Sequence, residues 1–186
     1  ERWVDGIVAR PFKHRALEEL AANCSIPVIN GLSDYLHPCQ ALSDVFTLTE
    51  KWGDVRGKKL VYVGDGNNTC HSLVHVAARL GAHMTVCSPE GYEPNARVIS
   101  EAMLMARESG SDIRILNDPE TAVRDADAVY TDVWASMGQE DEIEERSSIF
   151  NDYRVDEEMM AWAKPDALFM HCLPAHRGQE VTAPVI

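Results

Sequence analysis

Residues 60–69 read Leu60-Val61-Tyr62-Val63-Gly64-Asp65-Gly66-Asn67-Asn68-Thr69. Four apolar residues of strand type run into a polar turn with two glycines. The turn opens a segment, 69–80, whose apolar residues recur at helical spacing until Gly81. Strand, glycine turn and helix in succession form the repeating unit of a parallel α/β sheet.

The alternation continues on both sides of this stretch. Strand-like runs at 84–87, 113–116, 128–131 and 167–170, with a helix over 95–109 closed by Gly110, predict a five-stranded doubly wound parallel sheet. This α/β, Rossmann-like three-layer domain is expected to span 53–174. Upstream, runs at 4–9 and 27–30 flank a helical segment at 14–23 and read as the remnant of a second α/β domain, 1–36. A bridging helix over 37–52 joins the two, with His37 at the cap, Pro38 in the first turn, and Leu42, Val45, Phe46 and Trp52 expected on one face. Residues 175–186 read as a truncated C-terminal loop, and the acidic run 140–145 as a solvated first helical turn.

With 186 residues, 45% of them hydrophobic, the chain can bury a full core. No stretch approaches the roughly 18 apolar residues of a membrane span, and the first ten residues lack the pattern of a signal peptide. A net charge of -13 argues against a nucleic-acid partner, because phosphate-backbone affinity requires a continuous basic surface. Cys24, Cys39, Cys70, Cys87 and Cys172 occur singly and fit neither a disulfide framework nor a zinc ribbon, so a reducing compartment is expected.

Ligands of open parallel sheets bind at the carboxyl ends of the strands. The residues there are polar: Asp65-Gly66-Asn67-Asn68 after 63, Asp132-Val133-Trp134-Ala135-Ser136-Met137-Gly138 after 131, and His171-Cys172-Leu173-Pro174 after 170. Gly64 and Gly66 invite a dinucleotide reading, but Thr69 stands where the third fingerprint glycine belongs, and Ser88 where a ribose-binding carboxylate belongs. His37 and Gln40 stand at the start of the bridging helix, where free N–H groups favour anionic or carbonyl oxygen, although a simple cap explains them too. His71 and His75 have the spacing of a metal pair without a third ligand and read as packing or surface residues. His171, Cys172 and His176 show no partnered base that would mark a hydrolase.

Together with His37-Pro38-Cys39-Gln40, these three strings resemble the transcarbamylase family, and within it the ornithine carbamoyltransferases, in order and spacing over the whole chain. Ser136-Met137-Gly138 is the stretch that separates ornithine enzymes from aspartate and putrescine relatives. The resemblance implies a transferase of arginine metabolism whose partners are carbamoyl phosphate and L-ornithine, with no metal, no other cofactor, no membrane and a homotrimeric assembly. It implies carbamoyl-phosphate contacts from Arg10, His37 and Gln40, and ornithine contacts from Asn68, Asp132, Ser136, Met137, Cys172 and Leu173. His37 is then expected to stabilise the oxyanion, and Asp132 and Cys172 to guide the proton of the δ-amine. An amine of lysine type, with a pKa near ~10.4, is only about one part in a thousand free base at pH 7, so the site must favour proton loss. The segment 136–145 resembles the family's mobile loop. The implied location is the cytoplasm, or the mitochondrial matrix if a transit segment was lost.

The chain departs from the family in lacking a Ser-Thr-Arg-Thr phosphate cradle and a C-terminal helix. A fragment of a longer protein, inactive by itself, is therefore expected, with 1–36 either poorly ordered or leaning on a neighbour. Three alternatives remain: a carbamoyltransferase for putrescine or an acylated ornithine, a non-catalytic amino-acid-binding module and, at the level of the fold alone, a nucleotide-binding oxidoreductase.

Overall fold

The computed structural model describes residues 2–135 and 140–186; the side chains of Glu140 and Ile143 are also left aside. Two parallel sheets organise the chain. The first pairs β1 (Ile7–Ala9) with β2 (Val28–Asn30), Ile7 opposite Val28, across α1 (His14–Ala22). Both strands are shorter than the sequence pattern indicates. The small sheet buries little: Val8 is 70% and Ile29 48% exposed.

After α2 (Pro38–Trp52) comes the large sheet, built from β3 (Lys59–Val63), β4 (His83–Cys87), β5 (Ile113–Leu116), β6 (Ala128–Thr131) and β7 (Leu168–His171). Its order is β5-β4-β3-β6-β7, all parallel, which is the expected doubly wound sheet. Strand alternation divides the core. Leu60, Tyr62, Met84, Val86, Ala128 and Tyr130 face α2, α3 (Asn68–Leu80) and α4 (Ala96–Ser109). Val61, Val63, Cys87 and Val129 face the opposite layer, where Ala122 and Val123 of α5 (Pro119–Val123), Phe150 after α6 (Ile143–Ile149) and Met159 of α7 (Glu157–Trp162) close the core.

The bridging helix presents a different face from the one expected. Ala41, Val45 and Leu48 are buried with Asp44, whereas Leu42 and Phe46 are 62% and 64% exposed. Positions 41, 45, 48 and 52 form the stripe that packs on α3, and 42 and 46 lie outside it. Glu140–Glu142 form a 3-10 turn leading into α6, so only Glu144 and Glu145 of the acidic run occupy the first α-helical turn.

Hydrogen bonds join the residues ahead of α2 to α3. Asn68 Nδ2 donates to Ser33 O at 2.6 Å, His37 N to Ser72 Oγ at 2.8 Å, and His71 Nδ1 lies 2.8 Å from Tyr35 O. Among the described residues no helix is long and apolar enough to cross a membrane, and all five cysteines are free.

Candidate active site

The sheet order places a topological switch between β3 and β6: the chain winds outward through β4 and β5 on one side and through β7 on the other. Loops leaving β3 and β6 therefore diverge and open a crevice at their carboxyl ends. Arg10, Ser33, His37 and Gln40 from the first unit and α2 face Asn67, Asn68, Asp132, Cys172 and Leu173 from the large sheet across one cavity of about 810 Å³.

Asp132, only 5% exposed, is the centre of the large-sheet side. Its Oδ1 accepts from Cys172 Sγ at 2.8 Å and from Val133 N at 2.8 Å, and its Oδ2 accepts from Asn67 Nδ2 at 2.8 Å. Asn67 is itself locked. Its Oδ1 caps α3 by accepting from Thr69 N and Cys70 N, and also accepts from Tyr62 OH at 3.2 Å. A carboxylate with this many donors is held in one orientation. Burial and the neighbouring Asp132 charge push the Cys172 thiol well above its ordinary value, so it stays protonated and acts as a donor.

Across the cavity, burial holds the His37 imidazole below its ordinary value; the Arg10 charge acts in the same direction and Asp132 opposes it. His37 is therefore neutral near pH 7, and its Nδ1 has no hydrogen-bond partner among the described residues. It occupies the cap position of α2 without capping it through its side chain. Gln40 Nε2 donates to Asp44 Oδ1 at 2.9 Å, one turn along the helix.

The glycine turn does not make a dinucleotide site. Gly64 has a φ of 138°, the conformation expected of such a turn. Gly66 has a different reason: a Cβ there would lie 2.2 Å from Pro94 N, because the 92–94 backbone crosses directly over the turn. Gly66 N donates to Tyr92 O at 2.8 Å across that crossing. Immediately after β4, where a ribose-binding carboxylate would stand, is the buried Ser88.

Asp132, His171 and Cys172 offer ligand atoms within 4.8 Å of one another. The donor set does not suit a metal as it stands. His171 Nδ1 accepts from Leu173 N at 2.8 Å, its Nε2 lies 3.1 Å from Glu180 Oε1, and the thiol is protonated.

Of the residues expected in the site, Arg10, His37, Gln40, Asn68, Asp132, Cys172 and Leu173 line the cavity together. Ser136 and Met137 lie outside the described residues, as does the whole stretch 136–139 of the loop expected at 136–145. Asn68 spends one amide hydrogen on Ser33 O, so it also ties the two halves of the site together. Sequence reasoning quoted Asn67 without giving it a role; its position just ahead of a helix was the available signal. Asp65 was likewise quoted without a role. It is ion-paired to the buried Arg146 at 3.1 Å, and burial pushes its carboxyl up to about 6 against the pull of that guanidinium. Nothing local in the sequence joins residues so far apart.

Comparison with known proteins matches residues 56–186 to the Asp/Orn-binding domain and residues 1–50 to the carbamoyl-P-binding domain of aspartate/ornithine carbamoyltransferase. A curated ornithine carbamoyltransferase from Thermococcus kodakarensis is 58% identical over 185 residues, covering 100% of this chain and 59% of its own length. The solved ornithine carbamoyltransferase of Pyrococcus furiosus superposes with a TM-score of 0.96 at 56% identity, over 99% of this chain and 59% of that one. A solved N-acetyl-L-ornithine transcarbamylase superposes at 0.87 with 30% identity, over 99% of this chain and 61% of that one. The chain thus spans about 59% of the length of the curated relatives it matches.

Proposed function

Because the chain belongs to the aspartate/ornithine carbamoyltransferase family, we propose that its cavity transfers the carbamoyl group of carbamoyl phosphate to the δ-amine of L-ornithine, giving L-citrulline and phosphate. Asp132 is the observation that carries this reading: a buried carboxylate fixed by three donors at the switch point is a counter-charge for the α-ammonium group of an amino acid. Cys172 and Leu173 then lie toward the δ-amine, with Ser136 and Met137 assigned to the same substrate. Arg10, His37 and Gln40 take carbamoyl phosphate. A neutral His37 suits this task, since it offers a hydrogen bond to the carbonyl oxygen as the tetrahedral centre forms without adding a charge in the ground state.

An acylated acceptor is the rival. The fold does not discriminate, because the acetylornithine enzyme shares it. Acylation would replace the ammonium group facing Asp132 with a neutral amide and leave the carboxylate without its counter-charge. The matches at 1–50 and 56–186 and the two separate sheets support a carbamoyl-phosphate part followed by an ornithine part; within these we assign 1–36 to the first, a bridge to 37–52, 53–174 to the second and a closing loop to 175–186. The cytoplasmic location and the trimer rest on the family resemblance.

The test is citrulline formation with ornithine, N-acetylornithine and putrescine as competing acceptors. It is run on the chain alone and on a chimaera to which the Thermococcus kodakarensis relative supplies flanking segments. Preference for ornithine, lost in Asp132→Ala, supports the assignment. A chimaera that prefers another amine, or makes no carbamoylated product at all, overturns it.

A further inference from the structure

Beyond the residues that touch the cavity, a buried pair stands directly behind it. The Glu180 side chain is 0% and the His171 side chain 2% exposed, and neither lies on the cavity-facing network around Asp132. Glu180 belongs to the closing segment, yet it folds back onto the end of β7. Its Oε1 accepts from His176 N at 2.6 Å and lies 3.1 Å from His171 Nε2. The other ring nitrogen, Nδ1, accepts from Leu173 N at 2.8 Å. These contacts select one tautomer. An amide N–H can only donate, so Nδ1 carries the lone pair and Nε2 carries the hydrogen directed at the carboxylate.

The loop that this pair supports is an unusual one. Leu173 has a φ of 59°, in the left-handed region that a branched side chain seldom adopts. An isolated backbone of this shape would relax unless its surroundings held it, and the hydrogen bond from Leu173 N to His171 Nδ1 is one contact that does so. Cys172, between the two residues, sends its thiol to Asp132 Oδ1. A change at His171 would therefore reach both groups assigned to the δ-amine end of ornithine. Hydrogen bonds from the His171 ring and from backbone keep the Glu180 carboxylate below its ordinary value despite burial. The carboxylate is thus ionised at neutral pH, and its bond from His171 Nε2 is charge-assisted.

We infer that Glu180 is a positioning residue: through His171 it holds the Cys172-Leu173 loop in the shape that receives the δ-amine of the acceptor. This rests on the proposed ornithine reading and deepens it, because it assigns Glu180 and His171 a task on the acceptor side alone. Carbamoyl phosphate, held by residues of the first unit and α2, should not sense it.

The experiment uses Glu180→Gln, which preserves size and one acceptor oxygen but removes the charge, and Glu180→Ala, which removes both. Ornithine KM and kcat, carbamoyl-phosphate Kd, thermal midpoint and the ¹⁵N resonances of His171 are measured in the chimaera. The wild-type imidazole should carry its proton on Nε2. The ratio kcat/KM for ornithine should fall about three-fold or more in Glu180→Gln and about ten-fold or more in Glu180→Ala, with carbamoyl-phosphate Kd within about two-fold of wild type. If Glu180→Ala does not fold, the Gln variant decides. Three results overturn the proposal: a wild-type proton on Nδ1, ornithine kinetics unchanged in the Gln variant, or equal losses for both substrates, which would mark a purely structural role. If wild-type protein makes no citrulline, the ornithine reading fails, and the imidazole signal in wild type and Glu180→Gln still tests the pairing itself.

Discussion

His37 and Asp132 face each other across the cavity, the first kept neutral by burial and the second held in one orientation by three donors. On the proposed reading, replacing His37 by alanine removes a donor aimed at developing negative charge. Turnover should fall by roughly 10²–10³ while carbamoyl-phosphate binding changes little, and steady-state kinetics beside equilibrium binding separate the two. Asp132→Asn keeps the shape and loses the charge. Ornithine affinity should drop by about 2 kcal/mol or more, roughly thirty-fold, in a calorimetric titration; unchanged affinity would move the α-amino site elsewhere.

At the scale of the element, α2 and the turn before α3 show how packing chooses among residues that look alike in sequence. Leu42 and Leu48 are both leucines on α2, but only Leu48, 2% exposed, fills the core. Leu48→Ala should cost about 2–5 kcal/mol and Leu42→Ala within about 0.5 kcal/mol, as read from denaturant midpoints. Gly66 presents the converse case, because backbone atoms of the 92–94 crossing leave no room for a methyl group. Gly66→Ala should destabilise by about 1–3 kcal/mol. Gly57, where a Cβ would meet nothing, has a φ of 72°, so Gly57→Ala reports the cost of conformation alone. Equal stability of Gly66→Ala and wild type would show that the crossing can shift.

For the whole molecule, the contacts between the two units run through a few polar groups, and His71 is central to them. Its Nδ1 lies against Tyr35 O of the first unit, and its Nε2 accepts from Asn95 N at 3.0 Å, ahead of α4. Burial, with a smaller contribution from the His75 charge, keeps its pKa below the ordinary 6.5. In this window the unfolded chain binds the proton first, so stability rises with pH and is lost as pH falls below about 6.5 until the folded-state value is passed. Asp65, raised to about 6, acts in the opposite sense between about 3.8 and 6, because there the folded state holds the extra proton. The informative quantity is the difference between variants: His71→Gln should flatten the loss of stability between pH 7 and 6 relative to wild type. An identical slope in the two proteins would remove His71 from this role.

The order of strands and helices was legible because each run of apolar residues has its own period and its own glycine or asparagine boundary, as at 60–68, 81 and 110. The polar clusters at the strand ends were legible for the same reason, since parallel topology brings those ends to one edge. Local pattern determined that much without reference to the rest of the chain. It did not determine which face of α2 is buried, because Leu42 and Phe46 are as apolar as the residues that pack, and only the approach of α3 distinguishes them. It did not determine the partners of the site residues either. Asn67 meets Asp132, Asp65 meets Arg146, and Glu180 reaches behind β7 to His171. Hydrogen bonds and ion pairs depend on distance in space, and the folded sheet alone decides which distant residues come within reach.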